Sequence, residues 1–227
     1  MTHCSKRTKG NTELAAKGRE PHTPTDAVKL LKSFQGTKFD QTIEVCVHLG
    51  IDPRQAEQQL RGGISMPKGV GRSARVICFC PQDKVDAAKA AGAAEAGGED
   101  LVKRVEDGWM DFDVAVASPD MMKHMGKLGR VLGPKGLMPS PKAGTVTPDI
   151  ETAVSEFSAG KVEYRNDDGG NVHCLIGKMS FPEEDLVENL TFFLEFIEKS
   201  RPASVKGVYL KKCVISGTMT PSVRIIA

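Results

Sequence analysis

From Phe39 to Leu49 the chain alternates strictly. Ile43, Val45, Val47 and Leu49 fall on one face, and Thr42, Glu44, Cys46 and His48 fall on the other. A period of two predicts a half-buried strand with a polar face. Before it, Thr25-Asp26 can cap a short helix through Val28, Leu30, Leu31 and Phe34, which Gly36 ends. After it, Pro53 predicts the start of a polar helix over 54–61, stopped by Gly62-Gly63. A second regime begins near Lys68. Arg75 to Cys80 is a nearly continuous apolar run, as in a strand buried on both faces. An Ala-rich helix over 83–91, a brief strand at Ala93-Ala94 and a helix over 99–106 follow. Phe112 to Ala117 is again strand-like, Pro119 opens a Met-rich helix to Met125, and a last short helix covers Asp149 to Phe157. Strands alternating with helices at this spacing predict a small parallel α/β unit.

Past Gly160 the pattern changes again. Lys161 to Arg165 and Val172 to Gly177 flank Asn166-Asp167-Asp168-Gly169-Gly170-Asn171, which predicts a hairpin turn. Pro182 opens the clearest helical pattern, with Leu186, Val187, Leu190, Phe193, Leu194 and Ile197 on one face. Gly207 to Ser216 is strand-like, Gly217-Thr218-Met219-Thr220-Pro221 interrupts, and Val223 to Ile226 closes the pattern. Met1 to Pro24 reads as a loosely held basic arm. The predicted class is α/β (α+β) with two domains. An antiparallel-sheet α+β domain made of both chain ends (1–69 and 161–227) brackets an inserted Rossmann-like α/β domain (70–160). Gly-bearing hinges are expected near 67–71 and 158–161.

Composition narrows the partners. The 227 residues are 40% apolar and 26% charged, ordinary for a globular protein with room for two cores. No run of 18 apolar residues offers a membrane span. Aromatics at 5% argue against a stacking platform as the main binding device. The net charge of +2 is unevenly divided. Residues 1–69 hold 11 basic and 7 acidic groups, 161–227 hold 9 of each, and 70–160 hold 11 and 13. The bracketing domain is therefore the better polyanion binder, with much of its excess in the N-terminal arm. The six Cys, at 4, 46, 78, 80, 174 and 213, form no C-x-x-C pair and read as free thiols in a reducing cytosol. The first 20 residues have no apolar core, which excludes a secretory signal and points to a cytoplasmic protein.

No motif assembles a catalytic site. Residues 126–142 (GKLGRVLGPKGLMPSPK) hold Gly among Lys127, Arg130, Lys135 and Lys142, and exposed amides there could meet phosphate. They are not a Walker loop, because Pro134 stands at the second Gly and no Lys-Ser or Lys-Thr follows. Gly69-Val70-Gly71-Arg72-Ser73-Ala74 precedes a strand instead of following one, unlike a dinucleotide fingerprint. Asn189-Leu190-Thr191 fits a glycosylation pattern but falls inside the best helix. The five His show no metal spacing, no nucleophile elbow appears, and Asp167-Asp168 sits in a turn. No cofactor or metal is expected. A phosphate- or nucleotide-binding α/β enzyme using 126–142 is the alternative kept at this point.

The polar strand face offers a different chemistry. Lys38, Thr42 and Glu44 lie near Phe39, and Arg165, Thr218 and Met219 join them if the closing strands pair alongside. Cation, hydroxyl, carboxylate and exposed apolar groups together suit RNA, whose ribose hydroxyls need both donors and acceptors. At these residues the chain resembles the bacterial large-subunit ribosomal protein one (L-one) family. The matching stretches are KFDQTIEVCVHLGIDPRQAEQQLRGGISMPKGVG, LGRVLGPKGLMPSPKAGTVTPDI, GKVEYRNDDGGNVHCLIGK and SGTMTPSVRI. The resemblance implies a non-catalytic protein of two domains, the second inserted in the first. It implies binding to the large-subunit rRNA stalk near the tRNA exit site, help in releasing exit-site tRNA, and repression through its own mRNA leader. A monomer within the ribosome follows. By position, Lys38, Phe39, Thr42 and Glu44 match the first RNA-contact segment, and Arg165 and Asp167 fall in the second. Thr218-Met219 matches a Thr-Met-Gly element whose Gly is Thr220 here. Lys127, Arg130, Lys135 and Lys142 would add secondary RNA contacts.

Overall fold

The computed structural model describes residues 5–17 and 20–226. In chain order its strands are β1 (Thr42–Leu49), β2 (Arg61–Ile64), β3 (Val76–Phe79), β4 (Glu95–Gly97), β5 (Val114–Ala117), β6 (Val162–Arg165), β7 (Asn171–Lys178), β8 (Leu210–Gly217) and β9 (Val223–Ile225). The helices are α1 (Lys6–Lys17), α2 (Pro24–Ser33), α3 (Val85–Ala90), α4 (Glu99–Glu106), α5 (Met122–Met125), α6 (Gly129–Leu132), α7 (Ile150–Ser158) and α8 (Glu183–Lys199). The chain divides into two compact units. One comprises Met1–Arg61, Met66–Gly71 and Tyr164–Ala227; the other comprises Gly62–Ser65 and Arg72–Glu163. Residues 62–65, read from the sequence as part of the bracketing segment, thus group with the second unit. Strands β2 and β6 pair as a two-stranded ribbon where the chain passes between units.

The first unit is built on β1. Its Ile43, Val45, Val47 and Leu49 are buried and the residues between them half-buried, so the period of two is realised. The antiparallel sheet runs β7-β1-β8-β9. Its buried face continues through Val172, Cys174, Ile176, Cys213, Ile215, Val223 and Ile225. Helices α2 and α8 pack on this sheet and on each other. Thr23 caps α2 through its side chain, and Ala27, Val28 and Leu31 form the buried stripe. Along α8, Leu186, Leu190, Phe193 and Ile197 recur at spacings of three and four and are all fully buried. Each such side chain contributes about 1.5–3 kcal/mol by leaving water.

The second unit holds a parallel sheet in the order β4-β3-β5. In β3, Ile77 and Phe79 point to a core with Leu101, Val102 and Val105 of α4 and with Met125, Leu128 and Leu132. Val76 and Cys78 point to the other side, toward Ala88 of α3 and Ile150, Val154 and Phe157 of α7. Both faces are covered, which is why this strand reads as a continuous apolar run.

Four expectations are corrected. The polar helix over 54–61 is only a 3-10 turn at Ala56–Gln58, and Arg61–Ile64 is a strand. Side chains compete with the helix here: Gln58 accepts from the Asp52 amide at 2.8 Å and Asp52 accepts from the Arg54 amide at 3.1 Å. The turn around Asp167 closes, with its amide donating to the Asn171 carbonyl at 2.8 Å and Asn166 bridging antiparallel to Val172, but the hairpin ladder goes no further, since β6 pairs with β2 and β7 with β1. Asn166 draws β6 away: its amide donates to the Leu60 carbonyl at 3.0 Å and its side chain accepts from the Leu60 amide at 2.8 Å. The brief strand lies at β4, two residues beyond Ala93. The N-terminal arm is ordered as α1 over Lys6–Lys17, capped by Ser5, whose hydroxyl accepts from the Thr8 amide. His3 and Cys4 lie outside the described residues. The first turn of α1 has no acid but holds Lys6, Arg7 and Lys9, each opposing the helix dipole by about 0.3–1 kcal/mol.

Asn189 is fully buried on the inner face of α8, which closes it to glycosylation. Its side-chain amide donates to the carbonyls of Ile176 (2.8 Å) and Gly69 (2.9 Å), and its oxygen accepts from the Lys68 amide (3.1 Å). Asn189→Ala leaves all three backbone groups without that partner. The substitution should lower stability by about 3 kcal/mol or more, read as a shifted urea midpoint with unchanged slope.

Candidate nucleic-acid interface

The face of the β7-β1-β8-β9 sheet away from α2 and α8 carries the polar register. Glu44 stands beside Leu175 and Ser216, Cys46 beside His173 and Val214, and His48 beside Asn171 and Lys212. Cys46 Sγ lies 3.8 Å from His173 Nε2. Desolvation, with Asp167 and Glu44 nearby, raises its pKa, so it stays a thiol.

Three segments meet at the Thr42 end of β1. Gln41 is only 1% exposed, and it joins them. Its carbonyl accepts from the Met179 amide at 2.8 Å, and its side-chain oxygen accepts from the Met219 amide at 2.9 Å. Thr42 donates through its amide to Thr218 Oγ1 at 3.2 Å and accepts at its carbonyl from the Thr218 amide at 3.1 Å. Lys178 Nζ donates to Thr42 Oγ1 at 2.9 Å. The Asp40 carboxylate accepts from the Ser180 amide (3.1 Å) and hydroxyl (2.8 Å). On this bonded frame Phe39 is 51% and Met219 56% exposed, with Lys38 exposed beside them. Large apolar side chains held outward by a satisfied backbone suit a binding surface better than a core.

Thr220 completes the turn. Its hydroxyl accepts from the Gly217 amide at 2.8 Å, and no described non-Gly residue has positive φ. Threonine therefore fits this position without strain and adds a bond that a glycine would not make.

Arg165 and Asp167 lie elsewhere. Leu49 donates to the Gly170 carbonyl at 2.9 Å, which puts the Asp167 turn at the far end of β1. The Asp167 carboxylate nevertheless reaches back to 4.0 Å from His173 Nε2, beside Cys46, so four residues of strand, about 14 Å, lie between it and Thr42. Asp167 is occupied by its own turn: Oδ1 accepts from the amides of Gly169 (2.9 Å) and Asn171 (2.7 Å), and Oδ2 from the Asn171 side chain (2.9 Å). The Asn171 side chain, then the Asn171 amide, holds this carboxyl below its ordinary pKa. The structure thus brings Lys38, Phe39, Thr42, Thr218, Met219 and Thr220 to one end of the polar face, places Glu44 and Asp167 on either side of Cys46 along it, and leaves Arg165 on β6, outside the four-stranded sheet.

In the second unit Lys127, Arg130, Lys135 and Lys142 are all exposed. The stretch 126–142 is not the open loop expected from its glycines. Gly126–Leu128 is a 3-10 turn and Gly129–Leu132 is α6, because Met125, Leu128 and Leu132 are fully buried at helical spacing. The Gly133 and Gly136 amides donate to the carbonyls of Gly129 and Gly133, both at 3.0 Å. Those donors are already engaged, which removes the expected phosphate cradle. Among the described residues no group of three His, Cys, Asp or Glu could hold a metal. Burial pushes the Cys174 and Cys213 thiols up to about 12.

Comparison with known proteins decides among the readings. Residues 31–221 match the family described as "Ribosomal protein L1p/L10e family". The chain belongs to the ribosomal protein L1 family. It is 48% identical over 223 residues to "Large ribosomal subunit protein uL1" of Mycobacteroides abscessus, covering 97% of this chain and 95% of that relative. It is 49% identical over 206 residues to the protein of the same description from Nocardioides sp., covering 91% and 86%. This is a family of ribosomal proteins, not enzymes, so the nucleotide-enzyme alternative falls.

Sequence reading missed Gln41, Asp40, Lys178 and Ser180 as the frame of this L1-family surface. Gln41 carried a signal, since it occupies the inward register with Ile43 and Val45. A polar residue at an inward position needs partners.

The Asp167 carboxyl is lowered in the folded state, so its contribution to stability is present above the unfolded pKa of about 4 and lost as pH falls through the lower folded value. The urea-midpoint difference between the native chain and Asp167→Ala should be full at pH 7 and shrink below pH ~4. A difference that does not change with pH would mean the turn does not depend on the ionised carboxylate.

Proposed function

We propose that the chain is a constituent of the large ribosomal subunit and binds large-subunit rRNA at the mobile stalk near the tRNA exit site. Residues 38–44 and 218–220 of the first unit make the specific contact. The observation that carries this reading is the pair of exposed apolar side chains, Phe39 and Met219, presented from one hydrogen-bonded frame. Phe39 can stack on a base and Met219 can pack on a ribose or base. Glu44, on the adjoining polar register, supplies an acceptor for a ribose 2′-hydroxyl, and Lys38 a cation for phosphate. Lys127, Arg130, Lys135 and Lys142 supply secondary contacts from the second unit. Arg165, on β6, and Asp167, farther along the polar face, act on a separate part of the RNA or by shaping their own turn. The same surface would bind the chain's own mRNA leader where that leader mimics the rRNA, and so repress translation. Movement of the stalk would assist release of exit-site tRNA. The protein works as a monomer within the ribosome, in the cytoplasm.

A base–aromatic stack is worth about 1–3 kcal/mol, or roughly five- to 150-fold in affinity. Phe39→Ala should therefore weaken stalk-fragment binding by about tenfold or more in filter binding. Met219→Ala should weaken it severalfold. Both should lower the urea midpoint only modestly, because about half of each side chain is already in solvent. Lost stability with intact affinity of the folded fraction would reassign these residues to packing.

Lys38→Ala addresses phosphate contact separately. One lost phosphate contact reduces the slope of log affinity against log salt by about one unit. An unchanged slope would mean that Lys38 does not touch phosphate.

A further inference from the structure

We propose that α1 forms an additional wall of the RNA surface, with Lys6, Arg7 and Lys9 contacting backbone phosphates beside the nucleotides held at Phe39 and Met219. This rests on the rRNA-binding reading above, and it gives a binding role to an N-terminal segment that the sequence left without one.

Position comes first. Asn11, buried to 1% exposure, exchanges two hydrogen bonds with Gln35: its amide donates to the Gln35 carbonyl at 3.1 Å and its oxygen accepts from the Gln35 amide at 2.8 Å. That fixes the helix three residues ahead of Lys38. Arg7 is one turn earlier on the same helix face, and its guanidinium donates to the Met219 carbonyl at 3.4 Å. The first turn of α1 therefore stands at the Met219 turn. Lys6 and Lys9 lie within one helical turn of Arg7 and are exposed.

Charge comes second. Residues 5–17 hold four basic groups and one acid, Glu13, which makes this short helix the main source of the bracketing segment's positive excess. Three of the four cations occupy the first turn, where helix stability favours acids. The ion pairs seen among the described residues do not involve Lys6, Arg7 or Lys9. The arrangement is unfavourable in the free protein and becomes favourable when polyanion docks against it. RNA is the polyanion at hand, because the Met219 turn that Arg7 touches is already part of the proposed RNA surface. Phosphate contacts of this kind add affinity and salt dependence without reading sequence.

The test uses the full chain with Lys6→Gln, Arg7→Gln and Lys9→Gln combined, titrated with salt against a stalk rRNA fragment and an unrelated structured RNA. Each lost phosphate contact removes about 0.7–0.9 unit of salt slope. The slope should fall by about two units and the preference for the stalk fragment should persist, while the melting temperature should change little, since the lost Arg7–Met219 hydrogen bond offsets the relief of charge at the helix N-terminus. An unchanged slope overturns the proposal. So does a lowered melting temperature with binding lost only in proportion to the unfolded fraction. A second variant, Lys6→Glu with Lys9→Glu, keeps the Arg7 contact. It should melt higher and bind RNA more weakly, opposite signs that a packing role for these lysines does not produce. Failure of the native chain to prefer the stalk fragment would count against the rRNA reading itself. The difference in salt slope, measurable on either RNA, tests α1 independently.

Discussion

The buried amide of Gln41 is the constraint on which the proposed binding surface depends. It sits at the inward register of β1, where an unpartnered polar group would be costly. Its carbonyl and side chain are both committed to the neighbouring segments, at Met179 and Met219. The strand end thereby becomes a junction in which the loop before β1, the end of β7 and the turn after β8 have one relative arrangement. Phe39 and Met219 are exposed because their backbones are committed, not because their segments are loose. A surface ordered in advance loses less conformational entropy when a ligand arrives.

The asymmetry of the sheet supplies the rest. Helices α2 and α8 pack on the sheet, so β1 shows the alternation of a half-buried strand. In the second unit β3 is covered on both faces and shows no alternation. Two sheets of different covering thus leave different traces in one chain. A slip of one residue in β1 would turn Ile43, Val45 and Val47 toward the polar side and bury Thr42 and Glu44. The hydrophobic core and the functional face are therefore set by the same register.

Patterns that depend on local periodicity were legible: β1, β3, α4 over 99–106, and the buried stripe of α8. The meeting of residues 38–44 with 218–220 was anticipated too, because polar residues alternate with apolar ones and the 217–221 turn is rich in turn formers. What failed was decided by partners distant in sequence. Asn166 bonds to Leu60 and pulls β6 into a ribbon with β2, so the turn at Asp167 closes with a single Asn166–Val172 bridge and its flanking strands do not go on pairing with each other. Asn11 bonds to Gln35 and orders a segment whose composition alone reads as an arm. Buried Leu128 and Leu132 outweigh the glycines around them. The place of Asp167 beside His173 and Cys46, and not beside Thr42, required the strand register, which no local pattern contains.

Stability and binding make different demands on the first unit, and its parts divide accordingly. Asn189 and Gln41 are polar groups placed inside, each holding separate stretches of backbone together through its side chain, and either loss would be felt by the fold. Lys6, Arg7 and Lys9 stand outside and oppose their own helix dipole. Their cost is tolerable because α1 is anchored by Asn11 farther along, so a destabilised first turn does not release the helix. Thr220 shows the same division at the opposite side of the Met219 turn. It occupies the place where the related motif has a glycine, and its hydroxyl ties the Gly217 amide within the turn. Rigidity is thus supplied from within the turn and the buried junction. That leaves the outward side chains free to be chosen for what they meet.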